Sequence, residues 1–335
     1  MKKRMTLIML LVVMGALSAF AQGTIEQSKN QTGLSGSVVV YCPSPNTLAN
    51  KIASGFETKT GVKVEMFQGT TGKINARLEA EKANPVADVV ILASWPDGMK
   101  LVDQALSYDA KDVAKMQKNW VDPEHKLYGY SASAIGVIYN TTIYPTLSAD
   151  WKDFGKAQYK DAICMPDPLS SGSCKDFITG LVNVYGDEGW QTLSSWKANG
   201  LMIPGANSAA LEAVMTGSKG ILLAAVDYNG YAAIAKGEPL GLYYPEGGTV
   251  INPRPAFIMK TSKNLDNAKA FMDYLLSDEA QQMICDAYLL PGRTDIKATN
   301  RANVSDIKTV DYDWDWMLAN SSSVLDQYSK IMEAK

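Results

Sequence analysis

Histidine and cysteine are scarce in this sequence, with one histidine and four cysteines among 335 residues. The lone histidine, His125, lies in a polar stretch, which favours a solvated loop position over a catalytic one. Without a second histidine or a cysteine cluster the sequence has no usual zinc site, and no serine or cysteine nucleophile has an evident histidine base. We therefore predict that the protein is not an enzyme and that it holds no cofactor and no metal.

Basic residues are not in excess over acidic residues in this sequence. The 32 lysines and arginines are balanced by 35 aspartates and glutamates, for a formal net charge of −3. No basic run could follow a phosphate backbone, so nucleic acid is not an expected partner. Hydrophobic residues make up 46% and charged residues 20% of the chain, which is the balance of a folded globular protein, and a length of 335 residues predicts two domains.

The N-terminal segment has the pattern of a secretory signal. Three cations at residues 2–4 precede an uncharged stretch at 7–17, and small residues stand at Ala19 and Ala21. A membrane anchor would need ~18 to 20 apolar residues, which neither this stretch nor any later segment offers, and no cysteine stands at the cleavage site to accept a lipid. We predict a cleaved signal peptide at 1–21, a polar linker at 22–35 and a periplasmic protein without an anchor.

An oxidising compartment would allow the four cysteines to form disulfides. Cys164 and Cys174 are the favoured pair because they flank one short loop, and closing that ring would contribute roughly 2 to 3 kcal/mol. Four reduced, buried thiols are an equally weighted alternative. With Cys42 and Cys285 included, three connectivities are possible and the sequence does not choose between them.

Short β-branched runs alternate with helical patterns, first over residues 37–92 and again over 162–244. This alternation predicts an α/β fold with two lobes, each a mainly parallel sheet flanked by helices. Extended segments at 130–140 and 256–259 are predicted to cross between the lobes as two joining strands. The predicted boundaries are 36–133 with 250–300 for the first lobe, 134–249 for the second lobe, and 301–335 for a C-terminal helical segment packing on the lobes.

Polar loops follow the predicted strands in both lobes, where open parallel sheets bind ligands. The 69–73 loop opens a helix whose N–H groups suit an anion, although Phe67 and Ile74 break the P-loop pattern and simple helix capping is an equal alternative. The 170–173 loop repeats the arrangement in the second lobe. We predict a cleft that closes around a small hydrophilic ligand. Its predicted ligand-binding residues are Ser44, Thr70, Thr71, Ser94, Trp95, Ser170, Ser171, Gly172, Ser173, Asn207, Asp227, Tyr228 and Glu246.

Several segments carry a resemblance to a known family, namely 38–44, 78–89, 134–140 and 267–281. Together they make the sequence similar to the type II extracellular solute-binding proteins of bacterial ABC importers, a class that includes ferric-ion, polyamine and thiamine binders. The resemblance covers nearly the whole chain after the predicted signal. It implies a two-lobed, monomeric periplasmic protein that captures a small ligand and delivers it to an ABC permease in the inner membrane.

Two branches of this class compete. Ferric-ion binders usually carry adjacent tyrosines after the strand that ends here at Val226, whereas this sequence continues Asp-Tyr-Asn-Gly-Tyr. The iron alternative would use Tyr228, Tyr231, Asp227 and Glu246. Hexose-phosphate binders resemble the sequence more closely, because they tend to have His-Asp at that place and an acidic Glu-Gly turn after the next strand, although Val226 replaces the histidine.

The ligand implied by the resemblance is therefore anionic, a phosphorylated sugar or another organic phosphate, with ferric ion as the alternative. In that role Asp227 and Glu246 would accept hydrogen bonds from sugar hydroxyls. A secreted hydrolase using the same cleft is a lesser alternative. A binding protein that serves as the receptor of a two-component sensor is a third alternative.

Overall fold

The computed structural model describes residues 33–333, so the predicted signal peptide and most of the predicted linker lie outside the described residues. The strands are β1 (Ser37–Cys42), β2 (Lys63–Gln68), β3 (Val89–Ile91), β4 (Tyr128–Asn140), β5 (Ile163–Cys164), β6 (Ile221–Val226), β7 (Leu240–Tyr243), β8 (Ile251–Ile258) and β9 (Leu290–Pro291). The helices are α1 (Asn46–Thr60), α2 (Thr71–Ala80), α3 (Trp95–Lys100), α4 (Gly172–Tyr185), α5 (Asp187–Ala198), α6 (Asn207–Met215), α7 (Asp227–Ile234), α8 (Leu265–Leu275), α9 (Asp278–Asp286) and α10 (Trp314–Glu333).

Strand β4 is long enough to belong to two groups of strands. Along the sheet the order is β2-β1-β3-β8-β4-β6-β5. The first part of β4 pairs with β8 and β9, and its last part pairs with β6 and β7. We call β1, β2, β3 and β8 with their helices α1, α2, α3, α8 and α9 the first lobe, and β5, β6 and β7 with α4 to α7 the second lobe. The exact domain boundaries stay a prediction.

The returning strand β8 starts earlier than the sequence predicts. Residues 251–258 form the strand, with Pro253 and Pro255 inside it. Proline cannot donate to a ladder, which is why the proline-rich run predicts a loop. Here β3 pairs only with residues 256–258, and Pro255 takes part on that side as an acceptor, from the Leu92 N–H. Pro253 therefore lies beyond the end of the β3 pairing.

The helix boundaries follow local chemistry. Leu48, Ile52 and Phe56 recur four residues apart and bury one face of α1. Gly61 ends α1 in the left-handed conformation, with φ of 72°, and its N–H donates to the Glu57 carbonyl. Thr70 caps α2 through its hydroxyl.

The alternation over 162–244 predicts a strand at 201–203 and a helix near Tyr231, and both differ from the structure. The strand predicted at 201–203 is reduced to one bridge, between Met202 and Cys164. Helix α7 starts at Asp227, directly after β6, and not near Tyr231. His125 lies in a turn with positive φ and a partly exposed ring that contacts Asp109, as expected of a loop residue.

The predicted Cys164–Cys174 disulfide is absent, and all four cysteines are free and buried. The Cys164 thiol donates to the Ala210 carbonyl, whereas the Cys174 thiol donates to the Pro166 carbonyl. These two cysteines belong to different core clusters, so their side chains do not meet. Burial raises the pKa of each of the four thiols.

The C-terminal helix α10 packs against α3 of the first lobe and against α4 and α5 of the second. It buries Met317, Val324 and Tyr328, and the Lys100 ammonium of α3 donates to its Ser321 hydroxyl at 3.0 Å. Across residues 33–333, no helix is both long enough and apolar enough to cross a membrane.

Candidate functional site

A cavity of about 630 Å³ lies between loops of the two lobes. The first lobe contributes the loops after β1, β2 and β3, and the second contributes the starts of α4, α6 and α7. This placement follows from the strand directions, because parallel strands bring their following loops to one edge. The predicted residues that line the cavity are Ser44, Thr70, Thr71, Ser170, Ser171, Gly172, Ser173, Asn207 and Tyr228.

Five helices begin at the cavity wall. They are α1, α2, α4, α6 and α7, each at least eight residues long. The first N–H groups of a helix have no partner within the helix, and its dipole makes that end positive. Thr70 and Ser171 each use a hydroxyl to cap one N–H, on Lys73 and Cys174 respectively, so capping and cavity lining occur together.

The formal charges on the lining are all positive. Lys73 is exposed, whereas Arg254 is almost fully buried. No aspartate or glutamate is among the residues that line the cavity within the described part of the chain. Helix N-termini and two cations without a lining carboxylate make the cavity attractive to an anion.

Glycines allow the two lobes to meet beside the cavity. A Cβ on Gly172 of α4 would stand 3.1 Å from the Thr71 hydroxyl and 3.2 Å from the Ala93 carbonyl of the first lobe. A Cβ on Gly72 would stand 3.2 Å from the Leu169 carbonyl of the second lobe. Both contacts are tighter than a side chain usually accepts, so these positions suit glycine.

Buried polar contacts join the segment Ser94–Asp97, at the start of α3, to α4. The Lys175 ammonium lies 2.5 Å from an Asp97 carboxylate oxygen, and the Ser94 hydroxyl donates to Asp176 at 2.8 Å. Burial raises the pKa of Asp176 to about 8, although Lys175 acts to lower it. Ser94 is therefore a link between the lobes and does not line the cavity, contrary to the prediction.

Asp227 is also not among the residues that line the cavity, although its neighbour Tyr228 is, and this corrects its predicted position. Its carboxylate forms a fully buried salt bridge with Arg301 at 2.6 Å and accepts a hydrogen bond from the Tyr244 hydroxyl at 2.8 Å. The backbone N–H of Tyr228 donates to its other oxygen at 2.8 Å. Burial raises the pKa of Asp227, while the Arg301 charge lowers it. The carboxylate is fully engaged by protein groups.

Trp95 and Glu246, which the sequence also predicts to bind the ligand, do not line the cavity. Trp95 is 6% exposed and packs in a core cluster that includes Tyr41 and Phe257. Glu246 is an exposed turn residue whose backbone carbonyl accepts from Lys308, and it does not line the cavity.

The four residues of the iron alternative do not converge. Only Tyr228 lines the cavity, while the Tyr231 hydroxyl lies 3.4 Å from that of Tyr244 and its ring stacks on Tyr288. In the part of the chain that the structure describes, no group of three or more His, Cys, Asp or Glu side chains could hold a metal ion.

Arg254 of β8 is the main lining residue without a sequence prediction. It is 1% exposed and is flanked by Tyr130 and Tyr228, with its guanidinium carbon 6.0 Å from the Tyr228 ring centroid. The sequence signal for its burial is that this arginine stands alone between two prolines and is followed by apolar residues. Other lining residues without a prediction include Asn46, Gln68, Lys73, Ser208 and Asn229.

A family model described as bacterial extracellular solute-binding protein matches residues 84–320, which is more than half of the chain. The chain belongs to this family. Among curated proteins, this solute-binding protein is 24% identical to iron uptake protein A1 of Synechocystis sp. over 294 residues, covering 82% of this chain and 81% of the relative. It is 22% identical to a putative 2-aminoethylphosphonate-binding periplasmic protein of Salmonella paratyphi A over 302 residues, covering 84% and 86%.

The fold of this solute-binding protein is also that of solved periplasmic binding proteins. The structure of AfuA from Actinobacillus pleuropneumoniae, with exogenous fructose-6-phosphate bound, superposes with a TM-score of 0.81 at 22% identity, covering 90% of this chain and 99% of AfuA. The predicted two-lobed α/β fold and the predicted family are thereby confirmed.

Proposed function

We propose that this solute-binding protein captures a small organic phosphate in the cavity between its lobes and delivers it to an ABC permease. The observation that carries the proposal is the lining of the cavity, where five helix N-termini meet without a carboxylate. Helix N-termini are recurrent binding sites for phosphate groups. The fructose-6-phosphate bound to AfuA and the phosphonate named for the Salmonella relative support the same ligand class.

The cavity volume argues for more than inorganic phosphate. Cavities of roughly 300 to 1,000 Å³ hold small organic ligands, and this one is about 630 Å³. Neutral polar side chains such as Gln68, Asn207 and Asn229 line the remaining wall and can hydrogen-bond to hydroxyl groups. Because Asp227 and Glu246 are not among the lining residues, we propose that these neutral groups take the role that the sequence suggested for the two carboxylates.

Ferric ion is the weaker candidate. Iron(III) prefers several anionic oxygen ligands, and of the four predicted residues only Tyr228 is among those that line the cavity. The Asp227 carboxylate is already paired with Arg301. A free metal cation would also meet the positive ends of five helices, which oppose it.

The remaining parts of the proposal follow the family and the N-terminal sequence. The protein acts as a binding protein and not as an enzyme, in the periplasm, as a monomer released by cleavage at residue 21. Ligand-dependent closure of the lobes provides the signal for docking, because a ligand that prefers the closed state shifts the population toward it.

Native mass spectrometry of the protein purified from a periplasmic extract tests the ligand class. We expect a bound species that is released on denaturation and contains phosphorus. Copurified iron(III) with a phenolate absorption band, or turnover of a phosphoester, would contradict the proposal.

A charge substitution in the cavity sharpens the test. Asn207→Asp keeps the shape of the side chain and the oxygen that accepts from the Ser171 hydroxyl, but it adds a negative charge to the lining. At ~4 Å and an effective dielectric constant of about 20, like charges repel by about 4 kcal/mol, so we expect at least a tenfold loss of affinity for the phosphorylated ligand. Asn84→Asp, at an exposed position outside the cavity lining, is the matched control and should bind normally.

A further inference from the structure

Arg254 is a buried cation without a carboxylate partner. The two other buried arginines, Arg293 and Arg301, form salt bridges with aspartates. Arg254 takes part in none of the salt bridges formed among residues 33–333, and the ionisable groups that act most strongly on it are Tyr130, Tyr228 and Cys42. A buried charge without a partner is costly, so such a group indicates either a defect or a binding role.

The unpaired atoms of Arg254 lie on one edge of its guanidinium. Its Nε and Nη2 groups have no hydrogen-bond partner within the described chain. This edge presents two parallel N–H groups, which match two oxygens of a carboxylate or phosphate. Arg293 shows the same geometry in this protein, because its Nε and Nη2 donate to the two oxygens of Asp295 at 2.9 and 2.7 Å.

Two serines lie on the same face of the sheet as this edge. Ser131 of β4 is opposite Arg254 of β8, and Ser133 is opposite Asn252. Directly opposed residues of an antiparallel pair share a face, as do alternate residues of one strand. The Ser131 and Ser133 hydroxyls are also buried without a partner, and each can donate to an oxyanion. Asn252 connects this face to the start of α4, since its amide donates to the Ser173 carbonyl at 3.0 Å.

We propose that the Nε and Nη2 groups of Arg254, assisted by the hydroxyls of Ser131 and Ser133, bind two oxygens of the ligand's phosphate group on the β4–β8 strand pair. This inference rests on the proposed function and adds an orientation to it. The phosphate is the end of the ligand that enters deepest, and the organic part lies toward exposed Lys73 and Gln68 at the cavity wall.

Access to this subsite depends on separation of the lobes. The Nε and Nη2 atoms are shielded from solvent in this structure, and Tyr228 of the second lobe faces the guanidinium. Tyr228 lies in the first turn of α7, in the second lobe, whereas Arg254 lies in β8 of the first lobe. Opening of the lobes therefore moves the phenol away from the cation. The phosphate therefore binds to the open form and is enclosed on closure.

The substitution Arg254→Met tests the subsite, with calorimetric titration of fructose 6-phosphate and inorganic phosphate and with thermal denaturation of the ligand-free protein. We expect affinity for both probes to fall about 100-fold or more, as for truncation of one member of a buried charge pair. The ligand-free variant should melt at the same temperature as the wild type or higher. Arg254 has no carboxylate partner, so its removal leaves no buried carboxylate unpaired. Arg254→Lys keeps the charge but lacks the paired N–H groups, so it should bind with an intermediate affinity.

Arg293→Met is the matched control, since it removes a buried arginine whose paired edge already holds Asp295. It should lower the melting temperature and leave phosphate affinity unchanged. The subsite would be overturned if Arg254→Met has a lower melting temperature than the wild type and binds fructose 6-phosphate with the wild-type affinity. That result would leave the proposed function intact. Failure of the wild-type protein to bind any phosphorylated compound would instead overturn the proposed function, and the subsite with it.

Discussion

The salt bridge between Asp227 and Arg301 provides the sharpest test of how the site is assigned. Both side chains are fully buried and their closest atoms are 2.6 Å apart. Asp227→Asn removes the negative charge and keeps the shape, which leaves the Arg301 guanidinium buried and unpaired. Breaking a buried pair in this way costs about 3 to 5 kcal/mol. We expect the free energy of unfolding, measured by urea denaturation of the ligand-free protein, to fall by about that amount while ligand affinity changes little.

A double substitution controls for loss of the charge itself. Asp227→Leu combined with Arg301→Met replaces the pair by apolar side chains, and such replacements are often neutral or stabilising. The double variant should therefore recover most of the stability that either single variant loses. The reasoning is refuted if Asp227→Asn unfolds at the wild-type urea concentration but loses ligand affinity at least tenfold, because Asp227 would then be a ligand-binding residue as the sequence predicts.

Three further predictions concern protons, contact between the lobes, and thiols. The pKa of Asp176 is raised to about 8, above the ~3.9 of an unfolded chain, so the folded state keeps a proton that the unfolded state loses between those values and stability falls as pH rises through that window. Asp176→Asn should flatten this pH dependence of the urea midpoint, and an unchanged slope would contradict the assignment. In Gly172→Ala the added methyl group would stand too close to the Thr71 hydroxyl, so small-angle X-ray scattering with saturating ligand should show a more open molecule than the wild type. An identical scattering profile would show that the Thr71 side chain moves to make room for the methyl group. All four thiols, including those of Cys164 and Cys174, should alkylate only after denaturation, and an intact mass 2 Da below the reduced value would show a disulfide.

Much of the fold is predictable from local patterns. The β-branched runs predict strands at 37–41 and 220–226 and the helical pattern predicts a helix from Asn46 that Gly61 ends, each within one residue of the observed bounds of β1, β6 and α1. The polar loops after the strands also meet at one cavity, because the direction of parallel strands determines where their loops go. Thr71 of the first lobe and Ser171 of the second both line that cavity, in agreement with this rule.

The direction of individual side chains depends on residues distant in the chain. Asp227 does follow a strand, but its carboxylate turns toward Arg301, which is 74 residues away in sequence. No local pattern reports that partner. Arg254 lies in a proline-rich segment that predicts a loop, but the structure buries it in β8, opposite Ser131 of the distant strand β4. Such long-range effects explain why the loops are predictable while the charged residues within them are not.

Calorimetric titration of ligand-stripped protein tests the central claim, that the cavity binds an organic phosphate, most directly. The titrants are fructose 6-phosphate, 2-aminoethylphosphonate and iron(III) citrate, each measured with wild-type protein and with Asn207→Asp. The account predicts micromolar or tighter binding of a phosphorylated or phosphonylated compound that weakens at least tenfold in the variant. Binding of iron(III) alone, with a phenolate absorption band and no heat from the phosphorus compounds, would contradict it.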